Sequence, residues 1–143
     1  MLRSLGLKTS IPLAKATPLN PFNPYRSLLY CRYIERATPL NQFLIENPVF
    51  PERSALLEAV ARQVSKMIRS GVVFRDFYFG NILYAETGEL FWVDTEIKRY
   101  PFRKARARKR FLQREKFLYE RFLRHGGKHE EWGSFQRIML GGG

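Results

Sequence analysis

Over residues 52–70, apolar side chains recur at the spacing of one helical face. An apolar position returns to the same face of a helix about every 3.6 residues. Six side chains follow that rule: Leu56, Leu57, Val60, Val64, Met67 and Ile68. Charged residues, Arg53 among them, lie mostly away from this stripe, and Gly71 stands where a helix commonly ends. The pattern predicts an amphipathic helix that packs against the core.

After Gly71 the pattern changes to short apolar runs that are typical of strands. Residues 72–74 form one run, and residues 82–85 and 90–93 form two more around the Gly-containing segment 86–89. Aromatic and β-branched residues on both sides of such a segment predict a β-hairpin. The loop before the hairpin holds Asp76.

Two turn types fit this hairpin, and they differ by one residue in strand register. A two-residue loop at Thr87-Gly88 would place Asn81 opposite Asp94, with their Cβ atoms about 5 Å apart. Thr tolerates the positive φ of that loop poorly, so a type I turn with Gly88 as a bulge fits equally well. In either register an amide oxygen and a carboxylate lie near each other at the open end of the hairpin, into which Asp76 leads.

The pattern before the long helix is weaker. Residues 27–34 form an apolar run that predicts a buried strand, and residues 35–39 predict a connector. Residues 40–45 predict a short helix that ends at Asn47-Pro48. Residues 6–14 are expected to form a loop that enters a short strand.

The spacing of three polar residues resembles the catalytic core of the kinase-like superfamily. Asp76 and Asn81 match the catalytic-loop pattern H-R-D-x-x-x-x-N, and Asp94 stands where that superfamily has the metal-binding Asp of D-F-G. Residues 74–83 are most similar to the lipopolysaccharide kinase (Kdo/WaaP) family, bacterial enzymes that phosphorylate sugars of the lipopolysaccharide core. The resemblance extends over roughly residues 54–96.

Two departures from the kinase pattern bear on the substrate. Phe74 replaces the usual His, and Asp94-Thr95-Glu96 replaces the triplet D-F-G. The His mainly braces the loop, so an aromatic residue there need not remove the chemistry. Because the Phe and Gly of the triplet are missing, the resemblance favours a small-molecule or glycolipid kinase over a regulated protein kinase.

The resemblance implies an α+β fold of the protein-kinase type. We expect a mainly helical C-lobe, a catalytic-loop β-hairpin and a partial N-lobe. Residues 1–45 would form the partial N-lobe strands and the hinge, and residues 46–143 the C-lobe with a basic C-terminal helix. ATP and Mg²⁺ are the implied cofactors.

The same resemblance assigns roles to the three motif residues. Asp76 is the candidate general base, or the group that orients the attacking hydroxyl. Asn81 and Asp94 are the candidate magnesium ligands, since Mg²⁺ takes hard oxygen donors and usually one or two carboxylates. Each residue alone also fits an ordinary role, because Asp is common in turns and both types are common at strand ends.

The implied hinge consists of Tyr33, Ile34 and Glu35. By resemblance, the backbone groups of these residues would hold the adenine of the nucleotide. An ordinary core strand explains them equally well.

Composition narrows the partners and the compartment. The 143 residues are 45% hydrophobic and carry a formal net charge of +12, which indicates a globular domain with anionic partners such as nucleotide, glycolipid, a membrane surface or nucleic acid. The single cysteine, Cys31, can form no internal disulfide, which suits the reducing cytoplasm. We therefore expect a cytoplasmic protein. The positive net charge is also compatible with peripheral contact with the inner face of the inner membrane.

Most of the charge lies in residues 98–124, where twelve Lys or Arg residues oppose Glu115 and Glu120. Apolar residues recur there at helical spacing, so we predict a basic amphipathic helix that ends at Gly126-Gly127. A solvated face is the first interpretation of this helix. Contact with anionic lipid or glycolipid is the second, and nucleic acid is the third.

The implied activity is ATP-dependent phosphotransfer to a sugar hydroxyl of a lipopolysaccharide core or a similar small substrate. Kinases also need a Gly-rich phosphate loop and a strand Lys. No G-x-G-x-x-G precedes residue 71, and Lys8 and Lys15 lack the flanking strand pattern. We therefore expect either a fragment or late start of a longer kinase, or a natural remnant. The alternative function is a non-catalytic module that binds anionic lipid, glycolipid or nucleic acid through its basic helix.

Overall fold

A computed structural model of the chain describes residues 2–16, 28–74, 78–93, 97–99, 105, 109, 112–113 and 115–141. Its strands are β1 (Lys8–Thr9), β2 (Pro12–Ala16), β3 (Leu28–Cys31), β4 (Ala37–Pro39), β5 (Val72–Phe74), β6 (Ile82–Ala85), β7 (Leu90–Trp92) and β8 (Ile97–Arg99). Its α-helices are α1 (Leu40–Glu46), α2 (Arg53–Arg69), α3 (Glu115–Arg124) and α4 (His129–Met139). Short 3-10 turns cover Arg3–Leu5 and Phe79–Asn81.

The predicted hairpin lies at the centre of a four-stranded sheet with the order β1-β7-β6-β4. β6 is antiparallel to both β7 and β4, and β1 runs parallel to β7. Two further two-stranded sheets pair β2 with β3 and β5 with β8. The hairpin and the strand at residues 72–74 are therefore confirmed, and the segment predicted as a connector contributes β4.

Helix α2 forms the centre of the hydrophobic core. All six residues of its predicted apolar stripe are buried, and its ends differ from the prediction by one residue each. Helix α4, which was not predicted, packs along α2 and adds Phe135 and Met139 to the same core. The indole Nε1 of Trp92 donates a hydrogen bond to Oε1 of Gln63 at 2.5 Å, which joins the hairpin to α2.

Arg53 departs from its predicted place, because it is buried at the start of α2. Its Nε and Nη2 donate to the Glu131 carboxylate of α4 at 2.6 and 3.0 Å. It also donates to the carbonyl oxygens of Gly126 and Leu44, at 2.5 and 3.3 Å. The side chain lies on the face of the apolar stripe, three residues before Leu56 and four before Leu57, and α4 and the end of α1 cover it there. One guanidinium therefore links α1, α2 and the start of α4.

The strand expected at residues 27–34 is shorter and more exposed than predicted. β3 ends at Cys31, and within the described part of the chain it pairs only with β2. Tyr30 is 57% exposed, and Tyr33, which follows the strand, is 80% exposed. The prediction of a buried strand is wrong, because the described residues leave the sheet face that carries Tyr30 open to solvent.

The basic segment predicted as one helix begins as a strand. Lys98 and Arg99 belong to β8, where backbone pairing with β5 takes the place of helical hydrogen bonds. Much of the segment lies outside the described residues, but residues 105, 109 and 112 are helical and α3 covers its last part. The N–H of Gly127 donates to the Phe122 carbonyl at 2.9 Å just past α3, which confirms the predicted helix end. In the part of the chain that the structure describes, no helix has the length and apolar character needed to cross a membrane.

Candidate functional site

The turn of the hairpin determines which residues meet at its open end. Ile82 pairs with Trp92, and the N–H of Gly88 donates to the Ala85 carbonyl at 2.9 Å. Gly88 has a φ of 79°, a value that residues with a Cβ rarely adopt. The turn is thus a three-residue loop with Gly88 as its bulge, which is the second of the two predicted registers.

In this register Asn81 faces Val93 instead of Asp94. The N–H of Val93 donates to the carbonyl oxygen of Asn81 at 2.9 Å. Asp94, the next residue in the sequence, lies outside the described residues, and so does Asp76. The described structure therefore fixes the backbone of Asn81 beside the residue that immediately precedes Asp94.

Strands β5 and β8 bring together residues that flank the two candidate aspartates. Phe74 pairs with Ile97 in their antiparallel ladder. Phe74 stands two residues before Asp76 in the sequence, and Ile97 stands three residues after Asp94. The described residues on both sides of Asp76 and Asp94 are thus linked, by the Phe74–Ile97 pair and by the Asn81–Val93 hydrogen bond.

Tyr78 folds back over the 3-10 turn that carries Asn81. A Cβ at Gly80 would lie 2.2 Å from the Tyr78 ring, so this close approach requires glycine. Phe79 of the same turn is buried in the core. The Tyr78 hydroxyl lies 3.5 Å from Nδ2 of Asn41, at the start of α1. A buried Phe therefore anchors the turn, while its polar neighbours face α1.

Two of the predicted hinge residues, Ile34 and Glu35, line a cleft of about 560 Å³ together with the hairpin turn. Tyr33 does not line it. Asn81 is not part of this cleft, so the hinge candidates and the described metal-ligand candidate line separate clefts.

Asn81 lines a second cleft, of about 550 Å³, between α1, the 3-10 turn before β6 and the end of α3. The lining residues are Asn41, Tyr78, Asn81, Arg121, Arg124 and His125. None of these described residues carries a carboxylate, so the two guanidinium groups contribute a positive field to the cleft. Apart from Asn81, sequence reasoning singled out none of these residues, although Tyr78 lies inside the motif and Arg121 and Arg124 lie in the predicted basic helix.

His125 forms part of the wall of this second cleft and is 7% exposed. Its ring meets the Tyr78 ring edge-on, with 4.4 Å between centroids, and lies 6.0 Å from the Phe79 ring. Burial, and after it the charges of Arg121 and Arg124, lower the pKa of His125 to about 4. The imidazole is therefore neutral at pH 7 and presents an aromatic surface instead of a third positive charge.

The lowered pKa of His125 makes folding stability depend on pH. The unfolded chain binds this proton near pH 6.5 and the folded chain near pH 4, so stability is complete above pH 6.5 and falls as the pH drops towards 4. With allowance for solvent screening, we expect a loss of about 1 to 2 kcal/mol over that range. His125→Phe should lack this loss and His129→Phe should keep it. Denaturant unfolding from pH 7 to pH 4 measures both, and equal slopes for wild type and His125→Phe would contradict the assignment.

The described residues supply one of the two candidate metal ligands. Asn81 is half-buried and lines the second cleft with its side chain. Within the described ranges, no group of three or more His, Cys, Asp or Glu residues is arranged to hold a metal ion. Asp76 and Asp94, the carboxylates of the motif, stand outside those ranges.

Comparison with known proteins agrees with the fold expected from the motif. The family model "Lipopolysaccharide kinase (Kdo/WaaP) family" matches residues 1–138. Among solved structures, the chain is similar to "WaaP in complex with acyl carrier protein", with a TM-score of 0.71 and 25% identity. That match covers 97% of this chain and 61% of the WaaP chain, so this chain spans less than two thirds of its neighbour. No curated protein matches it. The expected α+β fold of the protein-kinase type is confirmed.

Proposed function

Because this chain belongs to the lipopolysaccharide kinase (Kdo/WaaP) family, we propose that it is an ATP-dependent phosphotransferase. Family membership supports a kinase-type function. The finer proposal is that the acceptor is a sugar hydroxyl of a lipopolysaccharide core or of a similar small substrate.

The observation that carries this proposal is that the strand pairs β5–β8 and β6–β7 both end beside the motif. Val93 donates to the Asn81 backbone, and Phe74 pairs with Ile97. The residues that flank Asp76 and Asp94 are therefore held at the same end of the hairpin as Asn81. Asp76 and Asp94 are also the only two aspartates in the sequence. A chain poor in Asp that places both of them in this motif favours a chemical role over two ordinary turn residues.

In this proposal Asp76 accepts the proton of the attacking sugar hydroxyl or orients that hydroxyl. Asn81 and Asp94 would hold Mg²⁺, and their amide and carboxylate oxygens are the hard donors that this ion prefers. When bound, the ion neutralises charge on the phosphate oxygens of ATP. The positive second cleft beside Asn81 provides a suitable field for the anionic reactants.

We also propose the hinge and the lobe division expected from the family. Residues 1–45 would form the partial N-lobe and hinge, and residues 46–143 the C-lobe. The cleft lined by Ile34 and Glu35 would receive the adenine, with Tyr33 beside it. The place of Ile34 and Glu35 in the wall of that cleft supports this assignment.

The test replaces Asp94 with Asn, which keeps the size of the side chain and removes its charge. We expect Mg-ATP to bind at least tenfold more weakly to this variant in calorimetric titration, because the ion loses a carboxylate ligand. Glu58→Gln is the matched control, since Glu58 is a partly exposed carboxylate that pairs with Arg62 on α2. Equal Mg-ATP affinity in wild type and Asp94→Asn would remove Asp94 from the site.

The second candidate function is a non-catalytic module that holds an anionic partner. It is favoured by the twelve Lys or Arg residues of segment 98–124. In this case the basic segment 98–124 would attach the domain to anionic lipid or glycolipid, with nucleic acid as the weaker alternative. Failure of the wild-type chain to bind Mg-ATP would select this function over the first.

A further inference from the structure

We propose that the second cleft, beside Asn81, binds a phosphate or carboxylate group of the acceptor sugar, and that Arg121 and Arg124 provide this specificity. The role of the bound sugar as the phosphoryl acceptor rests on the proposed kinase function. Recognition of the anionic group rests on the cleft alone. The inference therefore narrows the substrate class to sugars that carry a negative charge near the hydroxyl that reacts.

The first argument is the charge of the lining. Among the described residues that line the cleft, two carry a guanidinium group and none carries a carboxylate. Arg124 is exposed and makes no ion pair with any residue that the structure describes. A guanidinium presents parallel N–H donors that match the two oxygens of a carboxylate or phosphate. Such an anion is the ligand that complements this wall.

The second argument is that the cations are carried by a rigid element. Leu118 and Phe122 of α3 are buried in the core, so the last turn of the helix is held in place. Arg121 lies over the Phe117 ring at 4.4 Å from its centroid, a cation–π contact that orients the side chain. A pre-oriented guanidinium loses less conformational freedom when it binds an anion.

The third argument is that the remaining lining suits a sugar. The rings of Tyr78 and His125 provide apolar surface, and the lowered pKa of His125 keeps its ring uncharged at neutral pH. Oδ1 of Asn41 is buried and has no hydrogen-bond partner among the described residues. A buried acceptor without a donor is costly, and rotation of the Asn41 side chain into the cleft would let a sugar hydroxyl supply that donor. The cleft thus combines anion recognition with hydroxyl recognition.

The position of the cleft favours the acceptor over the nucleotide. The hinge candidates Ile34 and Glu35 line the other cleft, which would hold the base of ATP. Asn81 lines the cleft discussed here. An acceptor bound against Arg121 and Arg124 would therefore approach the proposed metal site through a cleft separate from the one proposed for the base.

Arginines in the last turn of a helix also have a purely structural explanation, because they interact favourably with the helix dipole. The control must therefore remove two cations that share this feature. Arg69 and Arg137 are exposed residues in the last turns of α2 and α4, and neither lines the cleft. The double variant Arg69→Gln/Arg137→Gln therefore matches Arg121→Gln/Arg124→Gln in charge and in helix position.

The experiment titrates the chain with glucose 6-phosphate, glucuronate and glucose, and follows binding by chemical-shift changes at low salt. We expect both anionic sugars to bind at least tenfold more tightly than glucose, and the stronger of the two identifies phosphate or carboxylate as the preferred group. Arg121→Gln/Arg124→Gln should reduce both affinities about tenfold, and the control pair should change them less than twofold. Thermal unfolding verifies that both double variants are folded.

Three results would overturn the proposal: equal binding of glucose and the anionic sugars, an equal loss in the control pair, or an unchanged affinity in Arg121→Gln/Arg124→Gln. A parallel titration with Mg-ATP separates this proposal from the kinase function. If the arginine variant loses Mg-ATP affinity but keeps the anionic sugars, the arginines bind the nucleotide and the proposal is wrong. If wild type binds the anionic sugars through the arginines but does not bind Mg-ATP, the anion site stands and the kinase function fails.

Discussion

Replacing Arg53 with Met is expected to lower the free energy of unfolding by about 3 to 5 kcal/mol. The guanidinium is the hydrogen-bond donor for the Glu131 carboxylate and for the carbonyls of Leu44 and Gly126. Met fills a similar volume but donates nothing, so a largely buried carboxylate loses its cation and two carbonyls lose a donor. Breaking one side of a buried pair costs more than the intact pair contributes, because the remaining charge stays desolvated.

Chemical denaturation of three variants measures this loss. Arg62→Met is the control for Arg53→Met, because Arg62 forms an exposed ion pair with Glu58 on the same helix, and such pairs contribute about 1 kcal/mol or less. The double variant Arg53→Met/Glu131→Gln should recover part of the loss, since it removes the unpaired charge. Similar destabilisation by Arg53→Met and Arg62→Met would show that the buried pair has no special role.

The pH dependence supplies an independent test of the same pair. Burial alone would raise the pKa of Glu131, but hydrogen bonds from the Arg53 side chain and the Lys128 backbone outweigh burial and lower it below 4.5. A carboxyl group with a lowered pKa stabilises the fold above its unfolded pKa and loses that contribution as the pH falls through its folded pKa. Without Arg53, burial raises the pKa of Glu131, so the variant binds this proton at a higher pH than wild type does. The difference between wild type and Arg53→Met should therefore be largest at pH 7 and shrink as the pH falls and the carboxylate is protonated in both proteins.

Arg53 also shows where the sequence pattern stops being informative. The 3.6-residue spacing identified the buried stripe of α2 correctly, because burial of that face depends on the helix alone. By the same spacing Arg53, three residues before Leu56 and four before Leu57, falls on that stripe, although it was assigned to the polar side of the helix. A charged side chain is buried only where partners are available, and here they are Glu131 of α4 and the Leu44 carbonyl at the end of α1. Because α4 was not predicted, the buried ion pair was outside the reach of a one-dimensional pattern.

Helix α4 itself had a sequence signal that was not used. Trp132, Phe135 and Met139 recur at helical spacing, and Glu130 and Glu131 stand in its first turn, where they favour a helix start. The glycine pair at residues 126–127 marked the end of the preceding helix, and no element was assigned beyond it. The composition of residues 129–139 was thus sufficient to predict the helix, although not its packing against α2.

The hairpin illustrates a different limit. The apolar runs and the turn predicted both strands, but two registers remained open because Thr87 and Gly88 fit either loop. The observed φ of 79° at Gly88 and the Ala85–Gly88 hydrogen bond select the three-residue loop. This places Asn81 opposite Val93. Asp94, which the other register would pair with Asn81, is instead the next residue in the sequence after that partner.

The second cleft was beyond prediction because its residues come from three separate elements. Arg121 and Arg124 belong to a segment with twelve cationic residues, and nothing in the order of those residues marks these two as lining a cleft. Asn41 lies in a short helix whose position depends on the pairing of β4 with β6. Only tertiary contacts bring these side chains next to Asn81.

Replacing Asp76 with Asn is expected to lower the rate of phosphoryl transfer by about 10²- to 10⁴-fold, the usual contribution of a general base. The Asn side chain has nearly the same shape and still orients a hydroxyl by hydrogen bonding, but it cannot accept a proton at neutral pH. Mg-ATP affinity should stay within twofold of wild type, because Asp76 is not a proposed metal ligand. Loss in the rate with retained nucleotide binding distinguishes Asp76 from Asp94, whose replacement should weaken Mg-ATP binding itself.

The measurement follows transfer of radiolabelled phosphate from ATP to chemically dephosphorylated lipopolysaccharide, with calorimetry of Mg-ATP in parallel. Glu130→Gln is the control, since it removes the same charge from an exposed position on α4. If Asp76 is the base, the wild-type rate should fall as the pH is lowered and the carboxylate is protonated, and the residual rate of Asp76→Asn should lose that dependence. A rate within threefold of wild type would show that Asp76 is not the base. Suppose instead that the rate of Asp76→Asn is greatly reduced but still falls at low pH as the wild-type rate does. Asp76 then only positions the hydroxyl, and another group accepts the proton.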